Sequence, residues 1–240
     1  MSPRYLLSLL LCSAPLLAFD VPYSPTPPVI DGVNTEIQWQ QSAWRPLNFV
    51  TIGGPLDPSD FNGKYRLMWD KSYLYLQAKI TDDMLYDNNP NPIDGYWSDD
   101  CLEIFVDEDA SGGDHQYNHN AFAYHIGLDN QAVDLSTDKK ARLYNDHVIS
   151  RWQREQQPPY DIVWEVAISI YDDSFEDNKP NQPVTLHDNK KLGFMLSYCD
   201  NDASKNREHF IGSKDIPPVN GDKNRGWIDA SVFDQITLTK

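Results

Sequence analysis

The chain of 240 residues is poor in cysteine, in positive charge and in long apolar runs. Three cysteines occur, Cys12, Cys101 and Cys199, with no CxxC spacing and no HExxH, which argues against a structural or catalytic zinc centre. Lysine and arginine number 20 against 36 aspartates and glutamates, for a net charge of −16. A surface so acidic repels phosphate backbones, so nucleic acid is not an expected partner. After residue 18 no apolar run is long enough to cross a bilayer, and membrane insertion is not expected. GxSxG, a Walker loop and GxGxxG after a strand are all missing. Paired carboxylates can hydrolyse glycosides, but among 36 acids some pair is inevitable, so no catalytic assignment follows. Helical periodicity is scarce too. Its one hint is Asn34–Trp44, where Asn34 can cap, Glu36 lies in the first turn, and Trp39 and Ala43 share a face.

What is present begins with a processing signal. Arg4 charges a short leading segment, Leu6–Leu17 is apolar, and Ala18 suits cleavage. Leu11 before Cys12 is larger than a lipid-attachment signal would carry. Residues 1–18 are therefore expected to be a signal peptide, giving a secreted or periplasmic protein in which Cys101 and Cys199 either pair in an oxidising compartment or stay as two buried thiols, both equally consistent with the sequence. Residues 19–28, with Pro22, Pro25, Pro27 and Pro28, read as an extended lead-in, and residues 29–240 as one domain.

That domain is built from alternating segments. Leu74, Leu76, Ala78 and Ile80 face one way, and Tyr73, Tyr75, Gln77 and Lys79 the other. Ile162, Trp164, Val166, Ile168 and Ile170 form a second ladder opposite Glu165 and Ser169. Further strands are expected over Lys64–Asp70, Ala121–Leu128, Gln131–Leu135, Leu143–Ser150, Leu192–Cys199 and Gln235–Thr239, with a tight turn at Asp70–Ser72. Many short strands with almost no helix predict an all-β, antiparallel two-sheet sandwich of immunoglobulin-like or jelly-roll-like type.

One strand entrance concentrates polar chemistry. Leu102, Ile104 and Val106 point to one face, while Glu103 shares the other with Cys101 and Phe105. Trp97 precedes them in a loop rich in proline and asparagine, and Asp100 lies between. An indole face stacks on sugar C–H groups while carboxylates accept from hydroxyls. Tyr124 and His125 lie on a neighbouring strand, and alternation turns one of them to the same groove. Trp39, Trp44, Trp69 and Trp164 sit in apolar patterns and read as core. Two acidic runs suggest calcium. Asp107, Asp109 and Ser111 precede Gly112 at EF-hand-like spacing, with Asn118 where the bidentate glutamate would stand. Asp200, Asp202 and Ser204 repeat the spacing without the glycine.

Taken in order, these pieces resemble a family 9 carbohydrate-binding module, within the wider DOMON-like β-sandwiches. The resemblance runs through Ile30-Asp31-Gly32, Trp39, Leu67–Asp70, Tyr73–Leu76 and Thr81-Asp82-Asp83. It continues through Trp97, Asp100, Glu103–Asp107, Trp164–Ile168, Gly193-Phe194 and Asn201-Asp202, and closes with Trp227, Asp229 and Phe233. It implies non-catalytic saccharide binding, structural calcium, and action beside separate glycoside hydrolases. Family members hold sugar between two tryptophans. Trp97 matches the first, Glu103 a sugar-contacting glutamate, and Asp100 the acid between. An ungapped count puts Tyr124 and Ile126 at the family's arginine and asparagine. The loop for the second tryptophan reads Phe210–Lys214 with no Trp, and Trp227 matches the closing core segment. The alternatives are a DOMON-like haem or redox domain, suggested by Met68 and the histidines, and an interaction domain whose sugar site is lost.

Overall fold

The computed structural model describes residues 19–240; the expected signal peptide lies outside the described residues. Fourteen strands follow one another: β1 (Phe19–Pro22), β2 (Arg45–Leu47), β3 (Phe49–Ile52), β4 (Phe61–Trp69), β5 (Leu74–Asp82), β6 (Cys101–Asp107) and β7 (Phe122–Gly127). Then come β8 (Ala132–Leu135), β9 (Ala141–Leu143), β10 (Val148–Arg154), β11 (Ile162–Ile168), β12 (Lys191–Asp200), β13 (His209–Gly212) and β14 (Asp234–Thr239). They form two sheets, as expected. The larger has nine strands in the order β1-β14-β12-β6-β7-β8-β9, with β13 pairing β12 and β3; the smaller runs β10-β11-β5-β4-β2.

Alternation produces the sandwich directly. Leu102, Ile104 and Val106 of β6, Phe122, Tyr124 and Ile126 of β7, and Phe194, Leu196 and Tyr198 of β12 meet Leu74, Leu76, Ala78 and Ile80 of β5 and Trp164, Val166 and Ile168 of β11 in one buried core. Each aliphatic side chain so buried stabilises by about 1.5–3 kcal/mol against exposure. The Asp70 turn joins β4 to β5, its Oδ1 accepting from the amides of Ser72 and Tyr73 at 2.7 and 2.9 Å.

Irregular chain covers the outer face of the smaller sheet and part of that of the larger. Over the smaller sheet, Asn34–Trp44 is not the α-helix its pattern hints at, but a 3-10 turn over Ile37–Gln41. It lays Trp39 on Met68, Tyr75 and Ala167, burying Tyr75 and Gln77, which sequence alternation alone turns to solvent. Glu165, fully buried, organises this cover. It accepts from Trp39 Nε1 and Gln77 Nε2 at 2.9 Å each, and from the amides of Asp31 and Gly32 at 3.1 Å. Gly32 has φ +79°, and a Cβ there would meet the Trp152 backbone at 2.7 Å, which explains the glycine. Trp44 departs from the expected core role: it is half-buried, with the Arg66 guanidinium 4.3 Å from its ring centroid.

Two boundaries also differ. The proline-rich lead-in starts as β1, pairing in parallel with β14, because Phe19–Pro22 can meet that strand's free edge. The strand expected over Leu143–Ser150 is two, β9 and β10, which belong to different sheets and are separated by a turn in which the His147 amide donates to Tyr144 O at 2.9 Å.

Candidate functional site

The outer face of the larger sheet is only partly covered. Cys101 and Phe105 of β6, Ala123 of β7, Met195 and Cys199 of β12 and Phe210 of β13 form a second cluster beneath Ile216, Ala230 and Phe233. Beside that cover a cavity of about 430 Å³ remains open. Its floor holds Glu103, Ala123, His125 and Arg207; its rim holds Tyr96, Trp97, Asn224 and Trp227.

Trp97 is 45% exposed, with Tyr96 set edge-on to it at 5.0 Å between ring centroids. Tyr96 in turn meets His125 edge-on at 4.7 Å. Trp227 is half-buried on the same cavity, 130 positions away in sequence. Two tryptophans therefore line one pocket. The second comes from the closing segment rather than from β13, whose Phe210 packs in the cluster below.

Glu103 and His125 are direct partners across β6 and β7, and Glu103 Oε2 lies 3.0 Å from His125 Nε2. Arg207 Nη1 is 3.8 Å from the same oxygen and donates to Cys199 Sγ at 3.1 Å, while its guanidinium lies 4.0 Å from the Phe210 ring centroid. Burial pushes the His125 imidazolium down, but the Glu103 charge beside it outweighs that and raises it above the ordinary histidine range. His115, buried, holds Gly226 O with Nε2 at 2.6 Å and so fixes the segment that carries Trp227. Burial keeps it readily neutral. The pocket thus offers flat apolar faces above and mixed hydrogen-bonding charges below, which suits a polyhydroxylated ring.

Of the residues expected at the site, Trp97, Glu103 and His125 come together and two do not. Tyr124 is buried in the inter-sheet core, where its hydroxyl meets His147 Nδ1 at 2.7 Å. Ala123 and His125 face the pocket, while Tyr124 and Ile126, which the ungapped count sets at the family's arginine and asparagine, lie in the inter-sheet core, because successive side chains alternate. Asp100 shares parity with Leu102 and turns inward, fully buried, accepting from the amides of Tyr86 at 2.6 Å and Asn201 at 2.9 Å. Trp227, expected in the closing core segment, lines the pocket instead, and Arg207 joins it without a signal in the sequence. Both stand in loops where no periodicity assigns a direction.

The acidic runs also separate. Asp107 spends its oxygens on the amides of Asp109 and Gly112, at 3.3 and 2.7 Å, and Asp109 accepts from the Ser111 amide at 2.9 Å. The run is a turn capped by its own carboxylates, with Ser111 exposed. A closer gathering stands elsewhere: Asp82, Asp100 and Asp200, all buried, offer carboxylate oxygens within 4.8 Å of one another. Asp82 Oδ1 and Asp200 Oδ1 are buried with no hydrogen-bond partner. Burial together with neighbouring carboxylates pushes Asp82 up to about 6, Asp200 to about 8 and Asp100 to about 9. Orphaned hard oxygens at such spacing fit an oxygen-liganded divalent cation such as calcium.

An antiparallel sandwich with an aromatic-walled pocket on one outer face is the architecture of a ligand-binding module. The family described as "Carbohydrate family 9 binding domain-like" matches residues 30–240, and the chain belongs to it. Among solved structures it is similar to a family 9 carbohydrate-binding module from Caldicellulosiruptor kristjanssonii in complex with cellotriose, at TM-score 0.67 and 21% identity over 92% of this chain and 93% of that one. The same organism's module in complex with glucose matches at TM-score 0.65 and 20% identity, over 92% and 95%. Among curated relatives, Endo-1,4-beta-xylanase A of Thermotoga maritima is 40% identical over 81 residues, 34% of this chain and 7% of that protein. Exoglucanase XynX of Acetivibrio thermocellus is 26% identical over 88% of this chain and 16% of its own length. The chain thus spans a small part of the curated relatives it matches.

Proposed function

We propose that this chain binds a neutral saccharide non-catalytically in the pocket walled by Trp97 and Trp227. The observation that carries the reading is the convergence of these two indoles, far apart in sequence, over a floor of Glu103, His125 and Arg207. The sugar ring stacks on Trp97, Glu103 accepts from hydroxyls, and Arg207 and His125 donate to ring or hydroxyl oxygens. Cellotriose and glucose in the similar modules support glucans as first ligands to test.

The reading extends to context. Leu6–Leu17 and Ala18 support a cleaved export signal and a place outside the cytoplasm. There the protein would assist polysaccharide degradation by separate glycoside hydrolases. Calcium is proposed as a structural ion held by Asp82, Asp100 and Asp200, in place of the Asp107–Ser111 run, on the strength of the orphaned carboxylate oxygens.

Titration calorimetry with glucose, cellotriose and a xylo-oligosaccharide tests the pocket. Binding of at least one is expected, with affinity falling about tenfold in Trp97→Ala, the scale of one lost stacking contact with its buried area. A folded protein that binds none of them, or a Trp97→Ala variant that binds as tightly as the parent, overturns the assignment.

A further inference from the structure

A second cavity, of about 540 Å³, opens at the β9 edge of the larger sheet. It lies one strand away from the saccharide pocket. Asp134 and Leu135 of β8 line the first cavity, and their direct partners across the ladder, Arg142 and Ala141 of β9, line the second. The loop before β6 also borders both, with Asn91 and Ile93 at one and Tyr96 and Trp97 at the other. A further wall is the segment between β11 and β12, which carries Tyr171, Phe175 and Asn178. Tyr171 and Phe175 line a smaller recess of about 360 Å³ as well, so the two spaces meet at these rings.

The aromatic wall is ordered from behind. Tyr171 stacks on His147 with ring centroids 4.1 Å apart, and Phe175 stands edge-on to both, at 5.2 and 4.9 Å. Tyr171 and Phe175 are themselves only half-buried. Asp177 pins the segment to the sheet, accepting from Ser136 Oγ and from Tyr144 Oη at 2.9 Å and meeting His119 Nε2 at 3.2 Å. Asn181 accepts from the Glu176 amide at 3.1 Å and donates to Glu176 O and Lys179 O at 3.0 and 2.8 Å. A wall fixed in advance spares a ligand the cost of ordering it.

The polar groups select the ligand class. Two buried atoms at this cavity have no hydrogen-bond partner: His147 Nε2, on a residue 1% exposed, and Arg142 Nε. A buried polar group left unpaired is costly, and a ligand hydroxyl, or a water bridging to one, relieves it. The lining charges cancel, Arg142 and Lys179 against Asp146 and Asp177. Burial pushes His147 down to about 4, which leaves it neutral at pH 7. Asp177 has its oxygens engaged by three side chains and is not free to hold a metal ion. An aromatic face, unpaired hydrogen-bonding groups and no net charge suit a neutral polyhydroxylated ring.

We propose that this cavity is a second saccharide site, in which a neutral pyranose stacks on Tyr171 and bonds its hydroxyls to Asp146 and the Asn178 amide at the rim and toward His147 at the base. For its ligand class it rests on the reading of the Trp97 pocket; its binding residues are all different. Two sites one strand apart on one sheet grip a polysaccharide at two points, so a polymer is retained more firmly than either site holds a short oligosaccharide.

Titration calorimetry with cellotriose and with xylotriose tests this on the parent, Trp97→Ala, Tyr171→Ala and Asp146→Ala, with thermal melts checking that each variant is folded. Two sites per chain are expected in the parent. Trp97→Ala should weaken one of them and Tyr171→Ala the other, each about tenfold. Asp146→Ala, at an exposed position, should weaken the Tyr171 site about fivefold, the scale of one hydrogen bond, and decides the matter should Tyr171→Ala not fold. One site per chain, with all binding lost in Trp97→Ala, overturns the second site and leaves the Trp97 pocket standing. Binding that Trp97→Ala leaves untouched, but Tyr171→Ala and Asp146→Ala weaken, keeps the second site and overturns the first. Binding that neither Tyr171→Ala nor Asp146→Ala weakens overturns the second site, and a folded parent that binds neither sugar overturns both.

Discussion

Glu103 and His125 face each other across β6 and β7 with 3.0 Å between Oε2 and Nε2, on a pocket floor that no stretch of sequence contains whole. Both side chains are almost fully buried, so the pair is shielded from solvent as an exposed ion pair is not.

That pair carries a pH signature. With its folded value raised, the histidine contributes stability that is complete below its ordinary value of 6.5 and lost as pH climbs through the raised value. Thermal melts from acid to alkaline pH should show the parent more stable than His125→Gln on the acid side, with the gap narrowing above neutrality. Parallel curves would refute the linkage.

The buried aspartates act in the same sense when calcium is chelated. A raised carboxyl contributes stability that is complete below its ordinary 3.8 and lost as pH rises through its folded value, here about 6, 8 and 9. Chelated protein should therefore lose melting temperature between about pH 4 and about pH 9, and millimolar calcium should restore it at the upper end. Asp82→Asn should stabilise the chelated protein at pH 8 and abolish the calcium response. Asp109→Asn should leave that response intact, since its carboxylate only caps a turn. A calcium response lost in Asp109→Asn but kept in Asp82→Asn would return the ion to the Asp107–Ser111 run.

Glu165 is predicted to matter for stability and not for binding. Glu165→Ala strands the Trp39 indole N–H, the Gln77 amide and two backbone amides in a buried site. The expected cost is about 3–5 kcal/mol, read by urea denaturation. A loss below about 1 kcal/mol would mean that water replaces the carboxylate.

Gly32→Ala tests the same cover from the backbone side. A positive φ and a 2.7 Å clash with backbone leave the new methyl nowhere to go, so destabilisation of about 2 kcal/mol or more is expected. Saccharide affinity measured below the melting transition should be unchanged, because this cover lies on the other sheet.

Much of the fold is written in alternation. Leu102, Ile104 and Val106 announce their buried face, and Glu103 is thereby set on the opposite one with Cys101 and Phe105. The pocket is less legible. Whether Ala123 and His125 or Tyr124 and Ile126 face it depends on a single register position, which alternation within the strand leaves open. Asp100 looked like a hydroxyl acceptor because it stands between Trp97 and Glu103. Its parity belongs to the core, and two backbone amides hold it there. Arg207 and Trp227 lie in loops, where direction comes from long-range contacts such as His115 on Gly226 O.

The sequence by itself determined the sheet count, the core faces, the acidic surface and the two half-sites Trp97 and Glu103, because period-two patterning and composition are local. Tertiary structure alone decided that Trp227 closes the pocket, that Arg207 reaches its floor, and that Asp82, Asp100 and Asp200 crowd together. Those relationships join residues tens to more than a hundred positions apart, and only the stacking of strands in a particular order brings them within contact.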